Sequence, residues 1–240
     1  YAMERGELTK VSEMLAALLD DAPEDLEVQA LVAQAHWLKG RYERAHEWAG
    51  GALKGLTPYV TENPDDAHAR TVLGRARMVM GDIVGAEVQL RVAIRQGHRN
   101  PIVLAMWADL LLKRDTPENH ETLIDNAFSA PPGKGAALLC ASHGQLLIAL
   151  GRLTQAQTLL SMCAGQSASS TNDAITRSRL SVVRGLLKMR QGNLPEAKSF
   201  FQRALDTNAD NIDAQHNLAL ILYRGGQANE ALEVLRNADP

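Results

Sequence analysis

Residues 182–209, VVRGLLKMRQGNLPEAKSFFQRALDTNA, decide the fold. Val182, Leu186 and Met189 recur at helical spacing and run up to Gly192. Past that glycine a second stripe begins, Ala197, Phe201 and Ala204, again at the spacing of one helix face. The stretch therefore reads as two amphipathic helices, A and B, meeting at a short turn where glycine supplies the conformational freedom. Gly185 in helix A and Ala197 in helix B are small residues set to face each other, which allows close helix approach.

The same signature recurs along the 240 residues: Gly40, Ala45, Ala49 and Ala52; Gly81, Ala86, Leu90 and Ala93; Gly151, Ala156, Leu160 and Cys163; Gly226, Ala231, Leu235 and Ala238. Gly6 and Asp115 open two variants in the same phase. Successive turns from Gly6 to Gly226 lie 34, 41, 34, 36, 41 and 34 residues apart. Both long intervals exceed 34 by seven residues, about two helical turns, which lengthens a helix without rotating its apolar face. A fixed period in this range signals a solenoid of helix pairs. Ala33, Gly74, Ala108, Gly144, Gly185 and Ala219 supply the small helix-A residues.

These residues resemble the tetratricopeptide repeat, whose pattern sets an aromatic or Leu, then Gly or Ala, in helix A and Ala, Phe and Ala in helix B. The resemblance covers the whole chain, with Leu104–Pro132 and Val182–Ala209 its best copies. Departures are His36, Arg77 and Lys188 where the family prefers an aromatic, and His120 in place of the helix-B Ala. The resemblance implies an all-α, right-handed α-α superhelix of about 13 helices over residues 1–240: six full repeats (26–66, 67–100, 101–136, 137–177, 178–211, 212–240) after a partial one (1–25). Tyr1, Ala2 and Met3 run straight into helical pattern, and no polar capping helix follows the last helix B. We expect a segment of a longer protein, or self-association through its ends.

Composition narrows the function. Lys plus Arg is 25 and Asp plus Glu 28, a net charge of -3, which is wrong for a dedicated nucleic-acid binder. No window approaches 18 consecutive apolar residues, so no membrane insertion is expected within this segment. Residues 1–66 carry 13 acids against 6 bases, and residues 67–114 carry 3 against 8. Arg91, Arg95 and Arg99 follow four-residue spacing and are expected as one solvated convex stripe of a helix. No His-x-x-x-His or Cys-x-x-Cys is present, so no metal and no cofactor is implied. Pro131-Pro132-Gly133-Lys134-Gly135 is a turn and not a phosphate loop, since no Ser or Thr follows the Gly-Lys. No catalytic constellation is found, and the chain is expected to be no enzyme.

Three local expectations follow. Residues 57–66, TPYVTENPDD, form the first insertion, and Asp65 or Asp66 caps the next helix. Residues 165–173, GQSASSTND, form the second and are expected as a flexible loop ending in a cap at Thr171 or Asn172, with a partly helical course as the alternative. Cys140 and Cys163 face each other across one helix pair; a disulfide is geometrically open to them, and two buried thiols are the expectation.

The family's helix-A face lines its concave surface and implies a protein or peptide partner there. The inward positions with side chains to offer are Gln34, Thr71, Arg75, Asp109, Gln145, Val182, Leu186, Met189, His216, Leu220 and Tyr223. The C-terminal ones are apolar and suit an amphipathic helix or extended apolar peptide. The residues Gly81–Gly97 are also similar to bacterial envelope members of the family, some of which accompany exopolysaccharide export. That implies a scaffold in envelope or secretion-complex assembly, located in the periplasm, with the cytoplasm as the alternative. A polysaccharide-binding accessory module, using Trp37, Trp107 or Tyr223, is the second reading.

Overall fold

The computed structural model describes residues 14–15, 17–38, 40–114, 128, 136–170 and 174–236. Among these the chain is all helix and turn, without a strand. It divides into two compact units, residues 1–130 and 131–240. The first holds α1 (Leu26–Leu38), α2 (Tyr42–Glu62), α3 (Ala67–Val79), α4 (Ile83–Arg95) and α5 (Pro101–Arg114), with residues 17–21 helical ahead of them. The second holds α6 (Ala136–Ala149), α7 (Leu153–Ser170), α8 (Ala174–Arg190), α9 (Leu194–Thr207), α10 (Ile212–Arg224) and α11 (Ala228–Arg236). The first helix B, expected near residues 6–21, falls largely outside the described residues, as do His120 and the Pro131–Gly135 turn.

Two of the A-to-B turns are built from adjacent residues with opposite jobs. Gly81 takes φ 77°, a left-handed conformation open to glycine. Its N–H then donates to the Met78 carbonyl at 3.1 Å, and the Asp82 N–H to the Arg77 carbonyl at 2.9 Å, ending α3. Asp82 starts α4 by accepting the Gly85 N–H at 2.9 Å. Gly192 and Asn193 repeat the arrangement between α8 and α9, Asn193 accepting from the Glu196 N–H at 3.2 Å. The two basic departures from the family pattern sit on these turns. Arg77 Nη1 lies 3.2 Å from Asp82 Oδ2, and Lys188 Nζ 2.9 Å from Glu196 Oε2. Lys188 holds the Glu196 carboxyl below its ordinary pKa. A cation clasping the next helix's first turn stands where an aromatic would have packed.

The seven-residue insertions are helix, not loop. Helix α2 runs through Pro58 to Glu62 and keeps one buried stripe, Ala45, Ala49, Ala52, Leu56 and Val60. Pro58 lies on the exposed side. Asp66, not Asp65, caps α3, accepting the Ala69 N–H at 2.9 Å. Helix α7 continues to Ser170, which corrects the flexible loop expected over residues 165–170 in favour of the helical alternative. The expected cap at Thr171 or Asn172 lies outside the described residues. Arg91 and Arg95 lie on α4, but Arg99 falls beyond its end and donates Nε to the Ile94 carbonyl at 3.3 Å, so the expected single helical stripe is broken.

Asp66 carries a prediction. The Ala69 N–H holds its carboxyl below the ordinary value, with the Tyr59 hydroxyl, 3.2 Å away, adding to the effect. A lowered folded pKa contributes stability above the unfolded pKa of about 3.9 and loses it as pH falls through the folded value. Asp66→Ala is expected to cost about 1 kcal/mol at pH 7. Denaturant titrations of both proteins should converge near pH 2; an equal gap at both pH values would contradict the cap.

The two cores are built alike. In the first unit Leu56, Val60, Val72 and Leu73 are buried together, and Trp107, wholly buried, donates Nε1–H to Glu87 Oε1 at 3.3 Å. In the second, Leu160, Leu180, Val183 and Leu187 fill one cluster, and Val182, Phe201, Leu218 and Leu222 the next. The helix-A glycines make room for the middle residue of the helix-B signature. A Cβ on Gly185 would lie 2.6 Å from the Phe201 ring, and one on Gly74 or Gly144 would lie 3.0 Å from Leu90 or 3.1 Å from Leu160. Cys140 and Cys163, both buried, are joined in a disulfide between α6 and α7, with Cα atoms 6.4 Å apart. The expected pair of free thiols is corrected.

Candidate partner-binding site

The last helix pair, α10 and α11, carries the site. Asn211 caps α10 by accepting the Ala214 N–H at 3.0 Å, which fixes where the helix begins. From that start Ala214, Leu218 and Leu222 turn into the core, and His216, Leu220 and Tyr223 turn to another side of the helix. Gly225 and Gly226, the latter at φ 80°, reverse the chain into α11. Ala231 is buried against α10, while Leu232 and Leu235 stand beside it 52% and 43% exposed. Between the two helices opens a cleft of about 330 Å³ lined by His216, Leu220, Tyr223, Ala228, Leu232 and Leu235 over a floor of Ala219 and Ala231.

Of the inward positions expected from the sequence, the cleft gathers three: His216, Leu220 and Tyr223. Leu186 and Met189 are half-buried and pack against the cluster of Phe201 and Leu218. Gln34, Arg75, Asp109 and Gln145 are half-buried on their own helices and take no part in the cleft. Two positions are corrected outright. Thr71 is 4% exposed and its hydroxyl donates to the Ala67 carbonyl at 3.0 Å; Val182 is 4% exposed in the core. Neither has a surface to give. Leu232 and Leu235 were missed as site residues, because the helix-B signature marks Leu235 as core and the residue before Glu233 as solvent side.

No group of three His, Cys, Asp or Glu among the described residues is arranged to hold a metal ion. One titratable cluster is His68, 2.9 Å from Glu27 and ring to ring with His98 at 5.9 Å. Partial burial, then the charge of His68, lowers the His98 pKa. The His68–Glu27 contact ties α3 to α1. No described helix is long and apolar enough to cross a membrane.

Residues 188–240, which include the whole cleft, match the tetratricopeptide repeat family. The human tetratricopeptide repeat protein 7A is 43% identical over 56 residues, 23% of this chain and 6% of that protein. The Cut9–Hcn1 hetero-tetramer of the APC/C superposes with a TM-score of 0.69 at 12% identity, over 98% of this chain and 43% of that one. The chain is an all-α tetratricopeptide-like repeat. PilW, a type IV pilus biogenesis factor, has the same fold, with a TM-score of 0.58 and 16% identity over 87% of this chain and 90% of its own. At such identities the tetratricopeptide solenoids share a fold with this chain, and a function is not carried across. The chain spans a small fraction of the curated relative it matches.

Proposed function

We propose that this chain is a non-catalytic protein-interaction scaffold that holds an amphipathic helix or extended apolar peptide of a partner protein. The observation that carries the reading is the cleft between α10 and α11, where Tyr223 is 69% and Leu232 52% exposed beside each other's helices. Apolar side chains grouped in a concave site with one polar residue, His216, form the usual chemistry of peptide grooves. The solvent-facing apolar surface costs free energy until a partner covers it, at about 25 cal/mol per Å². A role in assembling a bacterial envelope or secretion complex is the finer reading. The Cys140–Cys163 disulfide, of a kind that persists in an oxidising compartment such as the periplasm, supports it.

Tyr223→Glu with Leu232→Glu leaves the core untouched, since both side chains are exposed. The double variant should keep its circular dichroism spectrum and lose the partner that the parent chain captures from cell extract. Equal capture by both proteins would remove the cleft from the binding site.

A polysaccharide-binding accessory module is the second reading. Trp107 leaves it, being buried in the core. In its favour stands an exposed aromatic group at the α1–α2 turn: Trp37 and Tyr42 edge to face at 4.8 Å, with His46 5.8 Å from Trp37. The edge-on geometry leaves no flat two-ring platform, which places this reading second.

A further inference from the structure

We propose that Glu27, His68, His98 and Asn100 form a proton-sensitive seam across the starts of α1, α3 and α5, intact while the His98 ring is neutral and broken at its α5 end when that ring takes up a proton. The seam lies within the first unit and does not rest on the cleft.

The repeat places its members in series. Glu27 stands in the first turn of α1, and His68 holds the matching place in α3. Their side chains meet across the two helices, His68 Nε2 2.9 Å from Glu27 Oε2. After α4, Gly97 at φ 92° turns the chain, and the His98 N–H donates to the Ala93 carbonyl at 3.0 Å. The half-buried His98 ring stands edge to face with that of His68, centroids 5.9 Å apart. His98 Nε2 lies 3.2 Å from Nδ2 of Asn100, the residue just ahead of α5. One chain of side chains thus joins three successive A helices.

The cap decides where the proton goes. Asn100 Oδ1 accepts the Val103 N–H at 2.9 Å, so the other end of its amide, an NH2 that can only donate, faces His98. His98 Nε2 is therefore the unprotonated nitrogen of a neutral ring. A proton there sets N–H against NH2, with no acceptor between them, at the cap that starts α5. Asp25 and Asp66 cap α1 and α3 with carboxylates, accepting from the Val28 N–H at 3.1 Å and the Ala69 N–H at 2.9 Å. A carboxylate at position 100 would hold the protonated ring, and the amide selects the neutral one.

The surroundings push the same way. Partial burial, then the charge of His68, lowers the His98 pKa, and Asp66 opposes them. From α2 the Tyr59 hydroxyl donates to Asp66. Arg70 of α3 donates Nε to the Pro64 carbonyl and Nη1 to Gln89, and Arg99 donates Nε to the Ile94 carbonyl. Asp65 and Arg95 are exposed, and α5 has no charged residue before Asp109. A lowered folded pKa gives stability that is present above the ordinary imidazole value of about 6.5 and lost as pH falls through the folded value. Mild acid therefore loosens the start of α5 from the A helices before it.

The test follows the imidazole nitrogens of the full 240-residue chain by 15N NMR from about pH 8 to about pH 5. An unprotonated His98 Nε2 is expected at the upper pH, with a titration midpoint below the ordinary value. His68→Gln should raise that midpoint by removing a neighbouring charge. Asn100→Asp keeps a capping oxygen and exchanges the donor for an acceptor, so it should carry the midpoint above the ordinary value. Urea unfolding followed by tryptophan fluorescence reads the consequence, since Trp107 lies in α5. Between about pH 7.5 and about pH 5.5 the parent should lose stability that His98→Gln keeps, and Asn100→Asp should reverse the trend. A hydrogen on His98 Nε2 at the upper pH, or a His98 midpoint unmoved by Asn100→Asp, overturns the seam. An equal loss in the parent and His98→Gln also overturns it, because the ring would then titrate without consequence for the fold. Should His98→Gln fail to fold, the sign of the pH dependence in Asn100→Asp decides: reversal supports the seam, and the parent's sign overturns it.

Discussion

Alanine in place of Phe201 is expected to cost about 3–5 kcal/mol, the largest loss for any single substitution in the second unit. Phe201 is wholly buried, and its ring lies against the bare backbone of Gly185, where a Cβ would come within 2.6 Å of Cε1. The ring and the missing methyl are one device. Two other pairs use smaller versions, Gly74 with Leu90 and Gly144 with Leu160, where a Cβ would stand at 3.0 and 3.1 Å. Gly185→Ala should therefore be destabilising by about 1–3 kcal/mol through overpacking, against the usual gain of Ala over Gly in a helix. Phe201→Leu should recover part of that loss, giving a favourable coupling in a double-mutant cycle. Trp37, Trp48 and Trp107 all lie in the first unit, so indole fluorescence is blind to this change. Amide exchange of α8 and α9 is the appropriate readout. Additive single effects would show that the ring relaxes away from Gly185 freely, and the device would be disproved.

That pairing marks how far the sequence could be read. The period exposed the helix pairs, because each turn needs a residue at positive φ and each helix face must stay in phase with its neighbours. Small-residue positions were equally plain, although the period alone did not reveal that Leu90, Leu160 and Phe201, more than the helix-B alanines, press on the glycines. The Ser-rich stretch at 165–170 misled, since composition favours a loop there while the two-turn register favours helix. Asp66 over Asp65 as cap was a choice between adjacent, chemically identical candidates that only the chain's path decides. Site residues were the hardest to read. A register gives the direction of a side chain on its own helix, but whether the next helix covers it depends on packing. Val182 and His216 occupy the same register position, and one is core while the other lines the cleft. Coverage, not direction, separates them.

Breaking the Cys140–Cys163 disulfide is expected to lower the stability of the second unit by about 3 kcal/mol, the loop-closure value for cross-linked residues 23 apart. The two thiols would stay buried on reduction, each 1–2% exposed, so apolar burial is conserved and only the constraint on the unfolded chain is lost. This separates the effect from that of Phe201→Ala, which removes packing and leaves the chain's freedom unchanged. For a unit of this size the loss corresponds to a melting temperature lower by roughly 10 °C. The bond staples α6 to α7 beside Leu160, whose carbonyl accepts Nη2–H of Arg184 from α8 at 3.3 Å. Loosened packing should therefore reach α8 and raise amide exchange there as well as in α7. Reductant should reproduce the effect in the parent chain and do nothing to a Cys140→Ala, Cys163→Ala variant. The first unit contains no cysteine, and its tryptophan-reported transition should not move. A parent chain indifferent to reductant, with two thiols titratable after unfolding without it, would leave the helix pair held by packing alone and withdraw the support for an oxidising compartment.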